Sequence, residues 1–432
     1  MILSSIILWG SMIALILLGC PITFALGSVS CIAAIFVWGG ISGLYIIAST
    51  AAEVTVSWVL LAIPLFVFMA KILELSGITD ELFDAMYMWM GRLAGGLAIG
   101  TTVIGVILGA MMGAAPASTA TMAGLSVEPM LKRGYDKKII AGSIASSGAL
   151  SIIIPPSILM LVYASLTGLS PGALFLGGII PGVLIGLFFC GYIFIRCTLN
   201  PNLGPKLLKT YTWKEKIRSL KPVVLAVIIV GMVLGSIYLG FATPTEAAAV
   251  GAFTSLLLAF WKKKLGWRDL AEALKETMRI TCFILWIVIS ASVFMRVVST
   301  MGTSDLICGL FAKIAVWPIL VLAIIQGILV LLGCVLDPLG IMLITLPVFA
   351  PIANMLGFNP LWFAIIFIVN LATSFVTPPF GLNLFVVKGI VKQKIGMGQI
   401  IQGSFPFFLL YLVGIVVLII FPGLATWLPS LM

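Results

Sequence analysis

The 432-residue sequence contains no histidine, only 9% charged residues, and fewer acidic than basic side chains, 14 against 24. Without His, a His-ligated zinc, haem or non-haem iron centre is unavailable, and so is the usual imidazole base. Most redox and hydrolytic enzyme classes fall away. The seven cysteines (Cys20, Cys31, Cys190, Cys197, Cys282, Cys308 and Cys334) show no C-x-x-C spacing and sit in apolar runs, so they read as small buried hydrophobes. No G-x-x-x-x-G-K-[ST] occurs, so ATP could drive this chain only through a partner that hydrolyses it. The start lacks a basic n-region and an A-x-A site, and residues 5–20 are expected to be retained as a first span.

What is present is apolar: 62% of residues are hydrophobic, 1–52 and 139–195 carry no charge, and 314–387 carry only Asp337. About 20 apolar residues span a bilayer, so the chain is expected to be an all-α polytopic membrane protein with no sizeable soluble domain. Charge gaps and Gly/Pro breaks give about ten transmembrane helices, at 4–20, 22–39, 56–73, 139–165, 171–197, 222–240, 246–261, 279–298, 359–387 and 405–428. Segments 95–127 and 317–350 are long enough to enter the membrane but are interrupted by Gly113-Ala114-Ala115-Pro116 and by Gly333 to Gly340. Both read as re-entrant hairpins. Segments 78–90 and 267–279 carry apolar residues on one face and charges on the other, which suits helices at the interface.

The net charge of +10 is concentrated in 132–138, 196–221, 262–279 and 388–394, which carry +15 together and leave −5 to the rest. The positive-inside bias puts all four in the cytoplasm and both termini outside, with each hairpin returning to the side it entered. These charges flank spans with no aromatic interleaving, so no nucleic-acid partner is expected, and membrane lipid is the surrounding medium.

The halves resemble each other at an offset near 223. Ala149 to Pro156 lies on Ala372 to Pro379 with the shared pattern A-x-S-x-x-x-P-P, and Pro21 matches Pro244, Gly27 matches Gly251, Gly77 matches Gly302, Gly113 matches Gly333 and Pro129 matches Pro351. The division is 1–200, a basic cytoplasmic linker at 201–221, and 222–432. Five spans per half is an odd number, which inverts the second copy. Inverted repeats with broken helices are a mark of secondary transporters, whose sites lie at the interrupted segments.

Each proline pair removes backbone donors and forces the residue before it to be extended, so helices 139–165 and 359–387 should break there. The freed carbonyls need polar surroundings. Ser143, Ser146, Ser147, Gly148 and Ser151 in the first break, and Asn370, Thr373, Ser374 and Thr377 in the second, supply neutral oxygens of the kind that suits Na⁺. The alternative reading is that Ser and Thr bond back to helix carbonyls and proline only kinks the span. We take Gly113, Pro116, Ser118, Ser147, Gly148 and Ser151 as the first Na⁺ set and Gly333, Asp337, Thr373, Thr377 and Pro378 as the second. Ser118, Thr119 and Thr121 can cap a half-helix whose dipole faces an anion. With Ser157, Gly381 and Asn383 they form the candidate substrate set. Asp337 has three readings: ion or substrate organisation, capping of the helix at Pro338, or proton coupling.

These motifs resemble the large membrane subunit of the tripartite ATP-independent periplasmic (TRAP) transporters. The resemblance covers essentially the full chain and rests on Gly113 to Thr121, Ser151 with Ile154-Pro155-Pro156-Ser157, Phe241 to Ala249 and Thr377 to Asn383. It implies a Na⁺-coupled importer of organic acids (dicarboxylates, other carboxylates or sialic acids) in a bacterial inner membrane, with no organic cofactor. It also implies an elevator mechanism, a transport core at 95–197 and 317–403 moving against a scaffold. A small four-helix membrane subunit and a periplasmic substrate-binding protein would be its partners. A proton-coupled or uncoupled exporter of the same fold, acting without a binding protein, is the rival reading.

Overall fold

The computed structural model describes residues 2–206, 211–303, 309 and 317–432, and every regular element among them is helical. Cys308 lies outside the described residues. The first half holds α1 (Ile2–Leu17), α2 (Ile22–Trp38), α3 (Ile41–Thr55), α4 (Trp58–Leu75), α5 (Ile78–Met90), α6 (Gly96–Met112), α7 (Ala115–Lys132), α8 (Lys137–Ala149), α9 (Ile158–Thr167) and α10 (Pro171–Leu199). A short α11 (Trp213–Ser219) precedes α12 (Lys221–Tyr238), α13 (Pro244–Trp261), α14 (Trp267–Thr300), α15 (Pro318–Gly333), α16 (Pro338–Met355), α17 (Pro360–Ser374), α18 (Leu382–Val391), α19 (Met397–Ile420) and α20 (Gly423–Thr426).

Seven of these helices are long and apolar enough to cross a bilayer, and several shorter apolar ones accompany them. Large apolar side chains such as Phe24, Phe36, Phe241 and Phe253 face outward. In water such a surface would aggregate; facing lipid, it makes this a multi-pass membrane protein.

Helix starts follow a local rule. Ser170, Thr243, Asp337 and Asn359 each precede a proline at the first helical position, and each side chain accepts a backbone N–H of its own first turn. At Thr243 the box closes in both directions, since the Glu246 carboxylate accepts the Thr243 backbone N–H (2.7 Å).

Three boundaries differ from the sequence reading. Residues 41–55 form the separate helix α3, absent from the ten spans because its 15 residues fall short of a spanning window. The amphipathic segment 267–279 is not a separate interfacial helix. It opens the 34-residue α14, since no Pro or Gly interrupts the run to Thr300. The last span lies at Met397–Ile420 and not 405–428, because Gln399, Gln402 and Ser404 are accepted into the helix while Pro422 and Gly423 follow its end. Segment 78–90 is the helix α5, with Ile78, Leu82 and Met86 buried and Asp80, Glu81 and Asp84 exposed.

Two groups of helices pack within themselves. In one, α4 lies against α13 and α14 against α2; in the other, α8 lies against α19 and α17 against α10. They meet where α4 touches α6 and α9 and α14 touches α16. The basic ends are tied together: Trp89 Nε1 donates to the Lys216 carbonyl (3.0 Å), and the Arg133 guanidinium lies 4.7 Å from the centroid of the Tyr87 ring.

The α8–α19 contact is a backbone crossing. A methyl group on Gly142 would overlap the Gly403 carbonyl, and one on Gly403 would overlap the Lys138 carbonyl. Neither neighbour can rotate away. Gly142→Ala and Gly403→Ala are therefore expected to cost at least the roughly 1–3 kcal/mol typical of overpacking, read as a lower melting midpoint in detergent. Gly124→Ala, where a methyl meets nothing within 4 Å, should leave the midpoint unchanged or raise it.

Candidate functional site

Asp136 caps α8 by accepting from the backbone N–H of Lys138 (2.9 Å) and Ile139 (3.2 Å). The helix ends in a 3-10 turn at Leu150–Ile152, passes the cis Pro155–Pro156 bond, and resumes at α9 under a cap from Ser157. Beside it, Gly105, Gly109 and Gly113 recur every fourth residue and so line one face of α6. A methyl group would sit 2.7 Å from Ser147 Cβ at the first, 2.9 Å from Ser151 Cα at the second and 2.5 Å from the Pro156 carbonyl oxygen at the third. Against the other arm of the hairpin, a methyl on Gly148 of α8 would lie 3.0 Å from Thr119 Cα of α7. This small-residue packing brings both hairpin helices onto the break. At the tip, the Gly113 carbonyl accepts the Ile158 N–H (3.4 Å).

The second break repeats the arrangement. α17 ends at Ser374, the Pro378–Pro379 bond is cis, and α18 starts after Gly381, whose φ of +31° needs a residue without a side chain. A methyl on Gly333 would lie 2.8 Å from Ser374 Cβ, and the Cys334 carbonyl accepts the Phe380 N–H (3.1 Å). Because Gly333 meets Ser374 as Gly109 meets Ser151, the structural partner of Gly333 is Gly109, not Gly113 as the sequence offset suggested.

The hydroxyls divide into two kinds. Ser143, Ser151, Thr373, Ser374 and Thr377 bond back to carbonyls three or four residues earlier, Ser157 donates to the Ile152 carbonyl, and Ser147 pairs with Thr102 (3.1 Å). By contrast, Ser118 Oγ, Thr119 Oγ1 and Ser146 Oγ are buried and unpartnered, as is Asn383 Oδ1. Asn383 Nδ2 donates to the Ala145 carbonyl (2.9 Å), and Tyr411 donates to the carbonyl of Ser146 (2.8 Å), so the second half of the chain closes over α8 of the first. α18 also packs on α7. A buried unsatisfied group costs about 1–3 kcal/mol, and four such atoms lie in this one region. Around the second break Asn370 Nδ2 donates to the carbonyl (3.0 Å) and Oε1 (2.7 Å) of Gln326, which leaves Asn370 Oδ1 unpartnered.

Of the predicted residues, Ser118, Thr119, Ser147, Gly148, Ser151 and Asn383 belong to this connected region of α6, α7, α8 and α18. Thr121 is half-buried and makes no side-chain hydrogen bond among the described residues. Pro116 sits in the first turn of α7, and Ser157 and Gly381 shape helix starts. Asp337 Oδ2 accepts the Gly340 N–H (3.1 Å), so its carboxylate caps α16. Among the described residues no three His, Cys, Asp or Glu come together, and the side-chain oxygens gathered at the first break, those of Ser118, Thr119, Ser146 and Asn383, are neutral. Sequence reasoning missed Thr102, Gln326 and Tyr411. The Gly105-x-x-x-Gly109-x-x-x-Gly113 spacing was the visible signal for the packing face.

Residues 9–424 match the family described as "Tripartite ATP-independent periplasmic transporter, DctM component". Relatives include the C4-dicarboxylate TRAP transporter large permease protein of Vibrio cholerae, 30% identical over 97% of this chain and 96% of that one. The 2,3-diketo-L-gulonate TRAP transporter large permease protein of Escherichia coli is 30% identical over 97% of each. Among solved structures, the YdaH transporter of Alcanivorax borkumensis superposes with a TM-score of 0.55 at 15% identity, over 90% of this chain and 89% of that chain. That likeness is one of fold.

If the unpartnered hydroxyls are kept for a ligand, removing them relieves the empty protein. Ser118→Ala and Thr119→Val should leave the melting midpoint unchanged or higher while cutting transport at least about tenfold, a loss of about 1.4 kcal/mol. A melting midpoint that falls with either variant, measured beside uptake, would instead assign that hydroxyl to structure.

Proposed function

Because the chain belongs to the DctM family of tripartite ATP-independent periplasmic transporters, a family of transport permeases and not enzymes, we propose that it carries organic acids across a bacterial inner membrane, coupled to Na⁺. The observation that carries the coupling is the set of buried, unpartnered neutral oxygens at Ser118, Thr119 and Ser146 beside a helix break. Na⁺ takes hard oxygen ligands, and hydroxyls with freed backbone carbonyls supply them without carboxylates. Ser147, Gly148 and Ser151, with Gly113 and Pro116, form the wall of this first ion site; Gly333, Asp337, Thr373, Thr377 and Pro378 form the second. Thr119, Thr121 and Asn383, with Ser157 and Gly381 setting the helix starts, face the acid.

The two halves act as inverted repeats. The exchange of contacts between the halves supports this: at the same offset α2 corresponds to α13 and α4 to α14, so α4 on α13 corresponds to α14 on α2. Hairpins and broken helices move as one elevator body against α1–α4 and α12–α14, because each hairpin tip is hydrogen-bonded to the break that it serves. A small membrane subunit and a periplasmic binding protein complete the system. The relatives named for C4-dicarboxylate and 2,3-diketo-L-gulonate make small carboxylates the first substrates to test.

In proteoliposomes holding the chain with its small subunit and binding protein, uptake should require an inward Na⁺ gradient. Equal uptake with K⁺ replacing Na⁺ at constant membrane potential would remove Na⁺ from the mechanism, and uptake without the binding protein would favour the uncoupled or proton-coupled reading. For the motion, a spin label beside Ser118 should change its depth in the bilayer between inward- and outward-facing conditions while one on α12 stays; equal depths would exclude an elevator.

A further inference from the structure

Away from the helix breaks, a polar cavity of about 240 Å³ opens where the end of α3, the start of α4 and the end of α14 meet the last turn of α9. Thr50, Glu53, Ser57, Ser292 and Arg296 line one side of it, and Ser165 on α9 faces them. The two sides belong to different packing groups of helices, so the cavity lies on the seam between them.

Arg296 is the residue that gives this cavity a purpose. Four of the 24 Lys and Arg lie outside the basic segments: Lys71, Arg92, Arg296 and Lys313. Lys71 is engaged by Glu74 and Glu276. Arg92 follows α5, whose Trp89 is tied to the basic linker. Lys313 lies outside the described residues. With the basic segments in the cytoplasm, Arg296 is the one described cation at the opposite membrane face. It is held by an ion pair from Nη2 to Glu53 Oε2, and the side chains are 41% and 69% exposed. A guanidinium carries five donors in a fork that fits a carboxylate, and this pairing engages one of its nitrogens. An exposed ion pair is only weakly held, so a second carboxylate can replace Glu53 at little cost.

We propose that this cavity is an outer anion vestibule, in which Arg296 exchanges Glu53 for the carboxylate of an incoming organic acid and hands it to the seam beside α9. This rests on the organic-acid reading above and adds the residue that selects charge before the ion sites are reached. Weak holding suits a point of passage: a deep, fully paired site would retain the anion. While Glu53 is engaged the pair is neutral, so the vestibule is not permanently occupied by inorganic anions.

The test uses the full chain without its native cysteines, carrying Ser165→Cys, in nanodiscs. Anionic and cationic methanethiosulfonate reagents of similar size are the probes. The anionic-to-cationic rate ratio should fall roughly threefold or more with Arg296→Gln, as expected for one unit charge a few ångströms away in a water-exposed cavity. It should be kept with Arg296→Lys and rise with Glu53→Gln. Millimolar succinate should slow labelling with Arg296 present but not with Arg296→Gln. A ratio unmoved by Arg296→Gln would overturn the proposal, as would a Ser165→Cys that impermeant reagents cannot reach from outside spheroplasts. Labelling needs no transport, so the two readings fail separately: a charge bias without organic-acid uptake would remove the cargo reading, and uptake without the bias would remove the vestibule.

Discussion

A helix that breaks inside a bilayer leaves carbonyls and N–H groups that hydrocarbon cannot satisfy, and this constraint organises the protein. Each break is closed by a carbonyl at a hairpin tip, Gly113 to Ile158 in one half and Cys334 to Phe380 in the other. For the tip to come that close, α6 must present hydrogens where other helices present side chains. The glycine spacing at 105, 109 and 113 follows from that need, as does the contact of Gly333 with Ser374. Ser151, Thr373, Ser374 and Thr377 then bond backwards to carbonyls of the helices that end there. The abundance of small residues and the scarcity of charge are two results of one requirement.

This solution is left incomplete in one region. Ser151, Thr373, Ser374 and Thr377 are satisfied locally, while Ser118, Thr119 and Ser146 are not. Their neighbours are tightly packed, as the close approach of Gly148 to Thr119 and of Gly105 to Ser147 shows, and an unpaired oxygen in such a setting lowers stability.

The architecture was legible where covalent chemistry dictates it. Proline pairs and the Gly113 and Gly333 interruptions placed the two helical hairpins and the broken helices directly from the sequence. Hydropathy served less well wherever length and polarity gave conflicting answers: α3 was too short to register, and α14 changes from amphipathic to apolar without any break. Within the site, the sequence named most of the oxygen-bearing residues but could not distinguish Ser147, paired with Thr102, from Ser146, which has no partner. That difference belongs to the facing helix, 45 residues away for Thr102, and no local pattern encodes it. Asp337 offered three readings, and the structure gives the geometry of one, the cap on Gly340.

The length of α14 has a mechanical meaning. Its 34 residues without Pro or Gly form a rod of about 50 Å at 1.5 Å per residue. Glu276, paired with Lys71, and Arg296, paired with Glu53, are about 30 Å apart along it, close to the thickness of the hydrocarbon layer. An unbroken helix resists bending, and any sharp bend would need a proline, a bulge or an inserted group. The rod thus acts as a stiff strut as long as the hydrocarbon layer is thick, and any bend in its bundle has to come from another helix, such as α4 with Pro64 inside it.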